Sequence, residues 1–238
     1  RAARRLADHD LRPEAIGYAL AAQETELAAD LIRRAALAAF KQGELATLHT
    51  WLAALSPAQI EADAELAANF GWLHWLMGQG AKAGHYATMA QQQAGDQTVP
   101  RLLSLQACLS LTQTASNEAI PQGRAALALL DESEHFFRNM VLLILAEAQN
   151  AQGDVAGSVA TLRQAVASGR ASDDPFMTVG ATVNLAQALN MQAKRSEAVS
   201  LCRDLVAEFV DAQAQPLPMA GLALVTLGEL VYQANELA

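Results

Sequence analysis

Residues 145–167 read LAEAQNAQGDVAGSVATLRQAVA, and forty residues further on 185–207 read LAQALNMQAKRSEAVSLCRDLVA. The two align without a gap and share Leu145/Leu185, Ala146/Ala186, Ala148/Ala188, Asn150/Asn190, Gln152/Gln192, Val159/Val199, Arg163/Arg203, Val166/Val206 and Ala167/Ala207. Most shared positions are small or apolar, which marks packing rather than chemistry. A chain that writes one unit more than once stacks the copies, because each unit can bury its apolar face only against its neighbours.

The unit is a helical hairpin. Phe136, Met140 and Leu143, with Leu142 and Leu145 beside them, recur at helical spacing. Gly153–Asp154 breaks that helix, and Asp154 can cap the next by accepting orphan backbone N–H groups. Val155, Val159, Leu162 and Val166 then recur at three- and four-residue steps. Similar patterns place first helices (A) at 63–77, 99–113, 135–151, 175–191 and 217–234. Second helices (B) fall at 81–94, 117–131, 155–168 and 195–210. Successive A helices begin roughly 36–42 residues apart, near the tetratricopeptide period. TLGELVY at 226–232 has the Leu-Gly-x-x-Tyr-like form of a tetratricopeptide first helix, and VNLAQAL at 183–189 has it with Ala for Gly.

Pro175, Pro216 and Pro218 mark junctions between hairpins. Pro121 falls about a turn into its helix, which must therefore start late or bend. The first 56 residues are helical but off period, with start signals at Pro13 and Ser56–Pro57. The expected fold is all-α: an α-α superhelix, a tetratricopeptide-like solenoid of antiparallel helix pairs. Residues 1–59 read as degenerate helical hairpins leading into an array over 60–238, and the lack of sharp linkers predicts one continuous solenoid.

Composition agrees with helix, since the abundant alanine loses no side-chain entropy there. The chain is 52% apolar and only 17% charged, which excludes intrinsic disorder. A net charge of −9 argues against direct contact with nucleic acid. For the basic cluster RAARR at Arg1–Arg5, with Arg33 and Arg34, a solvated helix face and a binding role fit equally well. The longest apolar run, Met140–Ala146, is far short of the ~20 residues that span a bilayer, so no membrane segment is expected. Cys108 and Cys202 read as reduced packing thiols in a cytoplasmic protein. The chain begins with Arg rather than Met and reads as a piece of something longer.

Catalytic motifs are missing. GQGAKAG at 78–84 lacks the spacing and the Ser/Thr of a phosphate loop, and no zinc-protease or nucleophile-elbow pattern occurs. The five histidines, His9, His49, His74, His85 and His135, are scattered, and no metal site is expected. At least one of Trp72 and Trp75 belongs to the core. The chain is read as non-enzymatic.

An array without catalysis still has a surface, and the A helices line its concave side. The Leu–small pairs Leu145–Ala146, Leu185–Ala186 and Leu227–Gly228 should pack between helices. The next residue turns about 100° away and should face the groove. That residue is Glu147, Gln187 and Glu229, and, carried back, His74 and Cys108. One turn earlier lie Phe70, Ser104, Leu143 and Val183, and one turn before those Ala67, Arg101, Met140 and Gly180. Asn150 and Asn190 lie near the same face, although turn capping competes as their role. The candidate groove thus carries Phe70, His74, Arg101, Ser104, Met140, Glu147, Gln187, Asn190 and Glu229. An apolar lining dotted with polar groups suits a small-molecule inducer or a regulatory protein. Simple solvation is the competing reading.

The first 55 residues carry a further pattern. Arg1–Ala3, Leu6, His9, Leu11, Glu14–Ile16 and Ala19–Ala22 are followed by Ala28–Ile32, Gly43–Leu45, Thr47–Leu48 and Trp51–Leu55. This run resembles the segment that follows the ATPase module and its winged helix in MalT-type, LuxR-family ATP-dependent transcriptional regulators. The tetratricopeptide-like remainder, 60–238, agrees with it in type and order. The resemblance implies the central superhelical sensor of a bacterial transcriptional activator. It implies an ATPase, which would bind the ATP, and a LuxR-type helix-turn-helix, both outside this chain, with no cofactor held in this segment. It implies, too, that an inducer or partner promotes self-association of the full-length protein. The alternative is an interaction scaffold that grips a peptide or partner protein.

Overall fold

The computed structural model describes residues 12–95, 99–113, 119–131, 134–172, 174–210, 215 and 217–236. Arg1–Leu11, with His9, and Pro216 lie outside the described residues. The chain is all-α, as the periodicity predicts. Its helices are α1 (Arg12–Ala21), α2 (Thr25–Lys41), α3 (Leu45–Ala53), α4 (Pro57–Glu61), α5 (Ala64–Leu76), α6 (Gly80–Ala94) and α7 (Pro100–Gln113). They continue as α8 (Ala119–Leu129), α9 (His135–Ala151), α10 (Val155–Ala171), α11 (Pro175–Met191), α12 (Arg195–Glu208), a 3-10 turn (Pro218–Ala220) and α13 (Gly221–Glu236). The A helices of the repeat are α5, α7, α9, α11 and α13, and the B helices are α6, α8, α10 and α12. Two compact units divide the chain, Arg1–Leu109 and Ser110–Ala238.

Helix starts follow the local chemistry. Ser56 forms a reciprocal capping box with Gln59 ahead of Pro57. Asp63, Asp154 and Asp174 accept first-turn N–H groups of α5, α10 and α11. The helix α8 begins at Ala119, so Pro121 falls in its first turn, where a missing N–H breaks no helical bond.

One turn recurs at the ends of α1, α2, α5, α9 and α11. It is closed by a residue of positive φ: Gln23 (56°), Gly43 (70°), Gly78 (72°), Gly153 (82°) and Ala193 (59°). The next N–H then reaches back over the helix end, from Glu24 to Ala19, Glu44 to Ala39, Gln79 to His74, Asp154 to Gln149 and Lys194 to Leu189. These bonds satisfy carbonyls that the helix leaves orphaned. The off-period helices at the start of the chain therefore use the same joint as the regular hairpins.

In the second unit α10 packs on α9 and α11, and α12 packs on α11 and α13. The A helices α9, α11 and α13 also touch in succession. Ala146, Leu162, Leu185, Ala186, Leu189, Cys202 and Leu230 share one core. The Leu–Ala pairs of the repeat are thus buried between helices, as their spacing predicts. The backbones of α10 and α11 come close at Gly169, where a Cβ would sit 2.9–3.1 Å from the hydroxyl, amide nitrogen and Cα of Thr178. Buried Asn139 ties α9 to the same place. Its carboxamide donates to Ser168 Oγ (3.1 Å) and the Ala165 carbonyl (3.2 Å) and accepts from the Gly169 N–H (3.3 Å).

In the first unit α5 packs on α6, with α2, α3 and α4 against it. Trp72 is fully buried and donates its indole N–H to the Arg101 carbonyl (2.8 Å), a core role. Arg33 bridges Asp30 (2.8 Å) and Asp63 (3.1 Å), and Arg34 pairs with Asp30 (2.9 Å). The basic pair on α2 is therefore neutralised within the unit. Cys108 and Cys202 are buried thiols whose pKa values burial pushes up, which keeps them protonated. No described helix is long and apolar enough to cross a membrane.

Candidate functional site

The first unit holds four of the candidate groove residues. Phe70 and His74, one turn apart on α5, belong to an aromatic cluster with Tyr86 of α6. Ring centroids lie 5.0 Å apart for Phe70–His74, 4.5 Å for Phe70–Tyr86 and 5.3 Å for the parallel stack of His74 on Tyr86. His74 is only 4% exposed, and its Nδ1 meets Gln79 Oε1 at 2.9 Å. Burial lowers its pKa, aided by the charges of Lys82 and His49 and opposed by the Gln79 bond, so the ring is neutral at pH 7. Burial, and then the charge of Glu61, raises the pKa of Tyr86. Ser104 is fully buried and donates to the carbonyl of Arg101 (2.8 Å). Arg101 is half-buried, its guanidinium 3.4 Å from Asn69 Oδ1. Every residue from Leu66 to His74 is buried, and Phe70 also lines a concavity of about 290 Å³ with Leu55, Ile60, Tyr86 and Met89.

The second unit treats its candidates differently. A concavity of about 380 Å³ opens between the A helices α9 and α11. Met140, Glu147 and Gln187 line it, as the repeat register predicts. Beside them stand Asn150, Asn184 and Met191, with Leu162 of α10 behind. Glu147 and Gln187 are exposed, and Met140 is half-buried. Glu229 is exposed on α13 and lines no part of this pocket.

The paired asparagines join successive repeats instead of capping turns. Asn150 Nδ2 donates to Met191 Sδ (3.3 Å), crossing from α9 to α11. Asn190 Nδ2 donates to Gln233 Oε1 (3.2 Å), crossing from α11 to α13. The same residue at the same turn makes the same kind of bridge in each copy.

Residues 101–238 match the family described as the MalT-like TPR region. The chain belongs to this family. The matched residues take in the whole second unit and its pocket. The solved structure of PilF from Pseudomonas aeruginosa is similar, with a TM-score of 0.54 at 14% identity, covering 90% of this chain and 93% of that one. At that identity the likeness is one of fold. No curated protein matches the chain.

Within the MalT-like TPR region, sequence reasoning missed Asn184 and Met191 and favoured a capping role for Asn150. On α11 the pocket uses Asn184, Gln187, Ala188 and Met191, and of the expected Gly180, Val183 and Gln187 it takes Gln187 alone. Val183 instead packs with Val179, Leu205 and Ala223. The available signal was the polar spacing Asn184–Gln187 and Glu147–Asn150, each three apart and so on one helix face.

Proposed function

We propose that this chain is the ligand- or partner-sensing superhelical domain of a bacterial transcriptional activator. It is cytoplasmic and non-catalytic, and makes no direct contact with nucleic acid. It regulates an ATPase and a LuxR-type DNA-binding domain that lie outside this chain. The observation that carries the reading is the pocket between α9 and α11. Two successive repeats build it, so an occupant contacts both and favours one packing of the pair over others. Such a shift, passed between neighbouring repeats, releases the ATPase for self-association of the full-length protein. Membership of the MalT-like TPR family and the run at the start of the chain support this reading.

Calorimetric titration with candidate inducers, oligosaccharides among them, tests it together with small-angle scattering. Saturable heat with a change in radius of gyration is the expected result. Failure of every small molecule to bind overturns the sensor version. A second reading, a scaffold for a peptide or regulatory protein, is favoured by α13, where Leu222, Val225 and Tyr232 are exposed along one side. Hydrogen exchange separates the two, since an inducer protects α9 and α11 and a docked partner protects α13.

A further inference from the structure

The two copies of the repeat differ at the asparagine that bridges them. Asn190 Oδ1 accepts a hydrogen bond from the guanidinium of Arg195 (3.2 Å), five residues further on. Its counterpart Asn150 has Val155 at the matching place. The Asn150 Oδ1 is buried and accepts no hydrogen bond. A buried acceptor left without a donor destabilises its surroundings, so this oxygen favours an incoming N–H. Position 147 differs in the same sense. It is Glu147 in the first copy and Gln187 in the second, and Glu147 is the one ionisable residue lining the pocket.

We infer that the pocket between α9 and α11 binds a guanidinium or primary ammonium group carried on an apolar stem. The Glu147 carboxylate is the exposed acceptor for it, and Asn150, whose carboxamide oxygen is buried and unpaired, lines the same pocket and can turn that oxygen to a donor. Asn184 and Gln187 can accept further N–H donors. The stem has its own surface in Met140, Leu143, Ile144 and Met191. Long cationic side chains place their methylenes on such surfaces and keep the charge at the polar end. An anionic ligand would meet Glu147 and a protein of net charge −9. The second copy holds an internal version of the same pairing, Arg195 on Asn190. The first copy lacks the cation and keeps the acceptors. This inference rests on the sensing role proposed above and specifies the chemistry of what is sensed.

The test is calorimetric titration of the 238-residue chain with two cationic probes: agmatine as a free small molecule, and a capped Ala-Arg-Ala tripeptide. The same tripeptide with citrulline, a neutral isostere of arginine, is the control. Saturable binding of either cationic probe, with the citrulline peptide about tenfold weaker or worse, is the expected result. Agmatine alone binding assigns a small metabolite as the source, and the peptide alone binding assigns a side chain of a partner. Glu147→Gln, which copies the second repeat and lies on the surface, is expected to weaken the binding probe about tenfold. Val155→Arg supplies the missing guanidinium from within and is expected to weaken external binding while keeping or raising Tm. Equal binding of arginine and citrulline peptides overturns the inference, as does unchanged affinity in Glu147→Gln. If neutral ligands bind this pocket and both cations fail, the cation inference falls and the sensing role stands. If nothing of any class binds, both fall.

Discussion

The hairpins α9–α10 and α11–α12 are two versions of one sentence, and they agree and differ in separate places. They agree at Leu145/Leu185 and Ala146/Ala186, all buried between helices. They differ at Glu147/Gln187, Gly153/Ala193, Val155/Arg195, Leu162/Cys202 and Gly169/Phe209. Packing between successive A helices tolerates little change in volume, so the Leu–Ala pairs that seat one on the next stay alike, while Leu162 and Cys202 on the B helices differ within one core. The turn, the open face and the join to the following hairpin answer to local demands. The difference teaches that a common scaffold carries two different surfaces, of which the first has an unmet acceptor.

The largest expected effect separates the B helices. Leu162 and Cys202 occupy matching positions in one core, but leucine fills more of it. Leu162→Ala is expected to cost about 2–5 kcal/mol in urea unfolding, through lost burial and a residual cavity. Cys202→Ala is expected to cost only about 1 kcal/mol. Equal costs would show that the two positions carry the same share of the core despite their different volumes.

A smaller effect tests the joins. Gly169→Val pushes a side chain against the backbone of Thr178, which cannot swing aside, and is expected to cost about 1–3 kcal/mol. The matching Phe209 is half-buried beside the core of Val183 and Leu205, so the second copy already carries a side chain there.

The turns give a matched pair of opposite sign. Ala193 holds a left-handed conformation at φ 59° that glycine adopts without strain. Ala193→Gly is expected to stabilise by about 0.5–1 kcal/mol, and Gly153→Ala to destabilise by a similar amount. Thermal denaturation of the two variants and their combination should return the double variant close to the parent.

The last prediction sets the second unit against the first through pH. Buried, neutral His74 has its pKa lowered from an ordinary 6.5. Between the two values the unfolded chain binds more protons than the folded one, so stability rises with pH there. The contribution is fully present above about pH 6.5 and is lost as pH falls below it. Denaturation series on both sides of that pH should show the first unit, followed through Trp72, weakening in acid. His74→Phe should flatten that dependence.

Much of this was legible in the residues. The echo at 145–167 and 185–207 placed the A and B helices of the array, and Asp154, Asp174 and Ser56–Pro57 marked starts that the structure uses. Met140, Glu147 and Gln187 were found because the repeat supplies a register. The joint at Gln23 was not legible, since a left-handed turn is signalled by glycine and none stands there. His74 and Ser104 came from carrying the register into α5 and α7, yet α5 is buried throughout from Leu66 to His74 and no pattern tells which side a neighbour leaves open. Asn184 and Met191 were missed because the expected strip ran through Val183, which packs in the core with Val179, Leu205 and Ala223.

Local chemistry, acting within a turn or two, determined by sequence alone that this chain is helical, where its helices break and that its hairpins repeat. Which polar groups meet was decided only when helices forty residues apart came together. Asn150 and Asn190 are identical in sequence and nearly so in context. The sequence separates them at one nearby point, Arg195 against Val155; only tertiary packing decided the partner of each Nδ2, Met191 Sδ for Asn150 and Gln233 Oε1 for Asn190, because those acceptors stand on helices about forty residues away.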